Sequence, residues 1–242
     1  MNKRFKKGLF IALGTVGALL LIGVIGIYIW TQQTYTAVEE IDQYTEQATE
    51  EGDWLVFEPG QSSQDKGFIL YPGARVEPEA YSYLASMLTE KGYTVAIPSV
   101  RFNLAIADSN KADEMISASP INSWYIGGHS LGGVAAAMYA SESTEQLSGL
   151  FFLASYPSID LSESSLPVLS IYGENDGLTS EDDINESVNL LPEETDFFEI
   201  RGGNHAQFGM YGPQSGDNDA SIEANEQQQR IAELLLEWAN SQ

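Results

Sequence analysis

The chain has 242 residues, a formal charge of −24 and no cysteine, which excludes disulfides, thiol nucleophiles and cysteine-metal sites. It holds two histidines, His129 and His205, too few for a histidine-rich metal site. Beyond residue 30, seven Lys and Arg face thirty-five Asp and Glu, a formal −28 that repels nucleic acid and anionic lipid.

Residues 8–30, GLFIALGTVGALLLIGVIGIYIW, carry no charge and are long enough, at about 1.5 Å per residue, to cross a hydrocarbon core of roughly 30 Å. Lys3, Arg4, Lys6 and Lys7 precede this run and the first acid after it is Glu39. The asymmetry predicts a single-pass anchor with a cytoplasmic N-terminus and an extracytoplasmic remainder. A cleaved signal peptide is the competing reading. The apolar run exceeds the usual ~7–15 residues of such a peptide, and Thr34-Tyr35-Thr36-Ala37 makes a poor cleavage site. Residues 31–52 form an acidic juxtamembrane linker, in which Tyr35, Val38, Ile41 and Tyr44 recur every three residues. That period suits a helix; an edge strand at 35–38 is the alternative.

From residue 53 to 242 short apolar runs alternate with helical patterns. Strands are expected at 54–59, 67–72, 94–98, 124–128, 149–157, 166–173 and 196–200. They are β-rich without clean alternation, as strands buried on both faces are. A helix is expected at 78–92, opened by Pro78 and closed by Gly92, a polar helix before 124, and a small-residue helix after Ser130. Strand-helix repetition of this kind predicts an α/β fold, a doubly wound and mostly parallel sheet.

Gly128-His129-Ser130-Leu131-Gly132 fits G-x-S-x-G between a strand and a helix, the setting of a nucleophile elbow. His129 is not its base: neighbours at a sharp turn diverge, and the base must also reach an orienting group. His205, in the glycine-rich loop RGGNHAQFG after the last strand, is the remaining histidine. The chain order that goes with such an elbow is serine, acid, histidine. Asp176, in the turn after the strand VLSIYG, is the predicted acid, ahead of Glu174, Asp182 and Asp183. The oxyanion hole requires two backbone N–H groups. Leu131 supplies one and Gly73 or Ala74 the other, Ala74 being preferred because Pro72 has no N–H. Arg75, Arg101 and Arg201 follow strand ends in an acidic domain, and Arg75 is the one predicted to orient an anionic group of the substrate.

With these pieces placed, the chain resembles the α/β-hydrolase superfamily, and within it a compact lidless bacterial branch similar to dienelactone-hydrolase-like proteins. LYPGARVEPEAYSYLA, GGHSLGG, LASYP, SIYGENDGL and GGNHAQFGMYG carry the resemblance, which covers about 54–238. YPGA stands where many members have His-Gly, and serine stands where dienelactone hydrolases use cysteine. The resemblance implies acyl transfer to water through an acyl-enzyme on Ser130, without cofactor or metal. The expected protein is a membrane-anchored carboxylesterase acting on a small ester. Acyl transfer or peptide cleavage on the same triad, and a non-catalytic binding module, are the alternatives. Only SIDLSESS separates the strands at 149–157 and 166–173, so an open site is expected, suited to a soluble or exposed ester.

Overall fold

A computed structural model describes residues 3–60, 63–143 and 146–242, with the backbone alone for 3–12. Met1 and Asn2 of the predicted basic start lie outside the described residues. Eight strands are formed: β1 (Thr49–Glu51), β2 (Trp54–Phe57), β3 (Lys66–Tyr71), β4 (Thr94–Pro98), β5 (Ser123–His129), β6 (Leu147–Leu153), β7 (Val168–Gly173) and β8 (Asp196–Ile200). The helices are α1 (Lys3–Thr31), α2 (Asp42–Thr45), α3 (Ser82–Thr89), α4 (Ala112–Ala118), α5 (Leu131–Glu142), α6 (Glu181–Ser187) and α7 (Ala224–Ser241).

The strands make one sheet in the order β1-β2-β4-β3-β5-β6-β7-β8. Pairing from β4 to β8 is parallel throughout, while β1–β2 and β2–β4 are antiparallel. All seven predicted strands are present. The expected 149–157 stops at Leu153 because Ala154 turns to φ 46. The helix expected over 78–92 begins as a 3₁₀ turn, Pro78–Tyr81, before α3.

Alternation divides the core into two layers. Phe68 and Leu70 of β3, Tyr125 of β5 and Phe151 and Leu153 of β6 pack with Leu84 and Leu88 of α3 and Leu234, Leu235 and Trp238 of α7. Ile69, Tyr71, Trp124, Ile126 and Phe152 face the other way, onto Met115 and Ile116 of α4 and Ala135, Ala136 and Tyr139 of α5. Each fully buried side chain of this size removes enough apolar surface for about 1.5–3 kcal/mol. Both faces are therefore covered, and functional loops are left to the strand ends. The outermost strands are acidic and open: Thr49, Glu50 and Glu51 are all exposed on β1, as are Asp196 and Glu199 on β8.

The predicted linker takes a different form. It is neither a continuous helix nor a strand at 35–38, and the boundary at 53 falls inside the β1–β2 hairpin. Tyr35 N–H donates to Arg75 O at 2.6 Å, Glu77 N–H to Tyr35 O at 3.1 Å, and Val38 N–H to Met210 O at 2.9 Å. Tyr35 also lies 5.5 Å from Tyr211, ring centre to ring centre. Residues after α1 are thus laid along the domain. Residues 13–31 of α1 are apolar and long enough to span a membrane, and up to Trp30 this stretch is exposed, with only Thr31 buried against the domain.

Candidate active site

Ser130 sits between the carboxyl end of β5 and the first residue of α5, at φ 52 and ψ −120. That left-handed conformation costs a side-chain-bearing residue about 1–2 kcal/mol. Its neighbours over-determine it. Ser130 N–H donates to Leu153 O at 2.9 Å, and Ser155 Oγ donates to Ser130 O at 2.6 Å. The turn also needs bare backbone, since a Cβ on Gly132 would run into the carbonyl oxygen of Tyr71. Ser130 is partly exposed above a buried floor.

His205, in the loop after β8, is buried, and its Nδ1 lies 2.8 Å from Asp176 Oδ2 and 3.1 Å from Oδ1. Asp176 is also buried, and its Oδ1 accepts from the N–H groups of Leu178 and Thr179 at 2.8 and 2.6 Å. A paired carboxylate can lie this deep because hydrogen bonds replace its water. His205 Nε2 is buried and has no hydrogen-bond partner among the described residues, Ser130 Oγ included. A serine–histidine hydrogen bond is commonly loose without substrate. The runners-up for the acid are engaged elsewhere: Glu174 accepts from Gly202 N–H at 2.8 Å, Asp183 closes a capping box with Ser180, and Asp182 lies in the first turn of α6.

His129 is buried against this pair, its ring centre 4.7 Å from that of His205 and 6.0 Å from Phe208. Its Nδ1 lies 2.9 Å from Tyr81 Oη, which accepts from Gly73 N–H at 2.9 Å. The other ring nitrogen, Nε2, is buried without a hydrogen-bond partner among the described residues. Burial holds the His129 pKa well below the usual histidine value, and the nearby His205 lowers it further; the His205 carbonyl opposes both. His129 is thus a neutral packing residue that ties the loop after β3 to the floor beneath His205.

The bond from Gly73 to Tyr81 distinguishes the surroundings of the two N–H groups expected as second oxyanion donor. Gly73 N–H is spent on Tyr81, whereas the Ala74 and Leu131 N–H groups have no partner among the described residues. Arg75 has a use that charge counting did not suggest. Its guanidinium lies 4.7 Å from the ring centre of Trp30 and 5.4 Å from that of Tyr35, and its Nε donates to Gln33 O at 2.7 Å. This guanidinium therefore packs at the exit of α1. Arg101 pairs with Asp108 and donates to Ala107 O.

Sequence reasoning missed Asp217. Its Oδ1 accepts from Gly177 N–H at 2.9 Å and His205 N–H at 3.3 Å, and its Oδ2 from Ala206 N–H at 2.8 Å. One carboxylate thereby clamps the Asp176 turn to the His205 loop. Gln227 of α7 adds a second clamp, accepting from Asn204 N–H at 3.0 Å and donating to Asn204 O at 2.9 Å. Neither residue stands in a recognisable motif; only the glycine-rich loop they hold is visible in the sequence.

Two sizeable cavities lie away from Ser130. One of about 770 Å³ lies behind the His205 loop, among Val38, Gln207, Met210 and Asn225. One of about 550 Å³ opens at the far end of the sheet, near Trp54 and Pro120. Among the described residues no cluster of three His, Asp or Glu side chains is arranged to hold a metal ion.

A family model described as the alpha/beta hydrolase family matches residues 67–229. No curated protein is a significant sequence match. The fold is similar to that of MGS-MChE2, an alpha/beta hydrolase enzyme from the metagenome of lagoon sediments of Mar Chica, Morocco. That likeness has a TM-score of 0.60 at 18% identity and covers 80% of this chain and 98% of the other. It is similar also to a thermophilic esterase from Thermogutta terrifontis, with a TM-score of 0.58, 12% identity and 81% and 97% coverage. Est1E from Butyrivibrio proteoclasticus gives 0.58, 13%, 79% and 97%.

Proposed function

Because the chain belongs to the alpha/beta hydrolase family, we propose that it is a membrane-anchored serine hydrolase, a carboxylesterase, with Ser130 as nucleophile. The observation that carries this reading is the buried His205–Asp176 pair at 2.8 Å beneath a serine held at φ 52 on a strand-to-helix turn. Asp176 fixes the imidazole with its proton on Nδ1, so Nε2 is free to take the Ser130 proton. The Oγ attacks the ester carbonyl, and its proton passes to Nε2. The resulting oxyanion is met by the N–H groups of Leu131 and Ala74, with the amino end of α5 adding a favourable dipole. Nε2–H then protonates the departing alcohol. Water, deprotonated by the same Nε2, releases the acid and regenerates Ser130.

The anchor is α1, with the hydrolase domain on the extracytoplasmic side, as the four basic residues before the apolar run direct. The small-molecule substrate enters at the carboxyl edge of the sheet. A fluorophosphonate probe tests the chemistry. It should label wild type at Ser130 and fail to label Ser130→Ala, with ester hydrolysis following the same pattern. Labelling elsewhere, or hydrolysis that survives Ser130→Ala, would overturn the assignment.

A further inference from the structure

The exit of α1 is tied to the rim of the site and not to a remote face. Asn103 Nδ2 donates to Thr31 O at 2.9 Å, and Asn103 O accepts from Arg75 N–H at 2.7 Å. Arg75 follows Ala74 in the loop that supplies the proposed oxyanion donor. Only Gln32, Gln33 and Thr34 separate Thr31 from Tyr35, which pairs with Val76. Four residue steps span at most about 14 Å. A headgroup layer is on the order of 5–8 Å thick, so the rim lies within about two to three such layers of the end of the span.

That rim is apolar. Outside α1 the large hydrophobic residues that stand exposed are Phe102, Ile106, Tyr156, Leu178, Val188 and Phe198. The first four all sit in loops that follow strands β4, β6 and β7, on the edge that carries Ser130. Their exposures are 54, 45, 37 and 41%. Each loop is bonded to the site or to the helix exit. Asn103, beside Phe102, holds Thr31; Ser155, beside Tyr156, donates to Ser130 O; Leu178 N–H donates to Asp176 Oδ1. Phe102 is also held at φ 58, a conformation unfavourable for a bulky side chain, and burial of the ring in the domain does not offset it.

We propose that this rim is a membrane-contact surface, with the Ser130 mouth facing the bilayer from which α1 emerges. Its substrates are then esters of long acyl chains resident in that bilayer. The carbonyl reaches Ser130 while the chain stays in lipid. The proposal rests on the anchored serine-hydrolase reading. It gives the acyl chain an apolar phase without a tunnel of the protein's own. It also explains why the exposed apolar groups gather on one edge of a domain whose net charge is strongly negative. Contact by apolar side chains suits a zwitterionic surface, which such a domain does not repel.

The absence of cysteine makes a direct test clean. A nitroxide is placed by Phe102→Cys, by Ile106→Cys and, at the opposite end of the sheet, by Val188→Cys, in the full chain reconstituted into phosphatidylcholine vesicles. At 102 and 106 relaxation by oxygen should exceed relaxation by a water-soluble nickel chelate, with a ratio several-fold above that at 188. Three equally water-accessible labels would overturn the contact surface. In parallel, 4-methylumbelliferyl palmitate carried in the vesicles is compared with the water-soluble acetate ester. The double variant Phe102→Asn, Ile106→Gln should lose at least about tenfold on the palmitate, a floor below the roughly hundredfold or more that removing two fully buried apolar side chains would give, and nothing on the acetate. Equal loss on both esters, loss on neither, or a wild type that cleaves only acetate would overturn the substrate class and leave the serine-hydrolase reading standing. A chain that cleaves neither ester and takes no fluorophosphonate would sink that reading and the substrate class with it, while the nitroxide ratios would still decide the orientation.

Discussion

Asp217→Ala removes the carboxylate that joins the two halves of the site. Three N–H groups from distant segments lose their acceptor, at 2.9 Å for Gly177, 2.8 Å for Ala206 and 3.3 Å for His205. A hydrogen bond to a charged group contributes about 1.5–3 kcal/mol. Two are well formed and the third is long. Asp217 is partly exposed, so water will recover part of the loss. The expected destabilisation is therefore about 2–4 kcal/mol. The clamp also fixes the distance between Asp176 and His205, so kcat should fall by roughly ten- to a hundredfold with KM nearly unchanged, the signature of a positioning loss felt in the transition state. Asp217→Asn keeps the shape but offers one acceptor oxygen and turns an amide donor towards donors, so it should recover only part of either loss. Chemical unfolding of the full chain in detergent micelles, followed by tryptophan fluorescence, reads the first quantity and hydrolysis of an acetate ester the second. An alanine variant within about 0.5 kcal/mol and twofold of wild type, the range of an ordinary surface substitution, would show that Gln227 and Asn204 hold the loop unaided.

Ser130→Ala and His205→Ala should each remove nearly all hydrolysis with folding intact. Asp176→Asn should lose about 10⁴ in kcat through the wrong imidazole tautomer, and Glu174→Gln should keep its rate. His129 is held neutral in the folded chain and protonates on unfolding, so stability should drop as pH falls below the unfolded pKa near 6.5, by up to about 1.4 kcal/mol per pH unit. His129→Gln should flatten that slope between pH 7 and 5; an unchanged slope would show that the residue is not buried neutral. A reporter fused after Gln242 should lie outside the cytoplasm, and the N-terminus of the isolated protein should precede residue 30. A mature chain beginning near Val38 would replace the anchor with a cleaved signal.

The parts legible in the sequence are those written locally. Strands β2 to β7 announce themselves as apolar runs because both sheet faces are covered. G-H-S-L-G shows an elbow because the close approach of Tyr71 demands glycine within the turn. The carboxylate that meets His205, Asp176, stands in the turn at the end of β7. What escapes is contact between segments far apart in the chain. Nothing near Asp217 says that it will meet Gly177 forty residues earlier. Nothing near Tyr81 says that its hydroxyl will accept from Gly73 N–H and leave that of Ala74 without a partner among the described residues. Nor does charge alone say that Arg75, in a domain full of carboxylates, packs against two aromatic rings and a carbonyl at the exit of α1.

The open flanks of the sheet carry a consequence for how copies of the chain behave together. Confinement to a membrane would raise their encounter rate, and an exposed outer strand is a template on which a second copy can extend the sheet. Glu50 and Glu51 on one flank and Asp196 and Glu199 on the other stand in the way, because either flank meeting its own kind, or the opposite flank, sets carboxylate against carboxylate. Crowding is therefore resisted by charge, and that resistance fades in strong salt or acid. Glu50→Gln/Glu51→Gln and Asp196→Asn/Glu199→Gln variants should self-associate at densities where the wild-type chain stays dispersed.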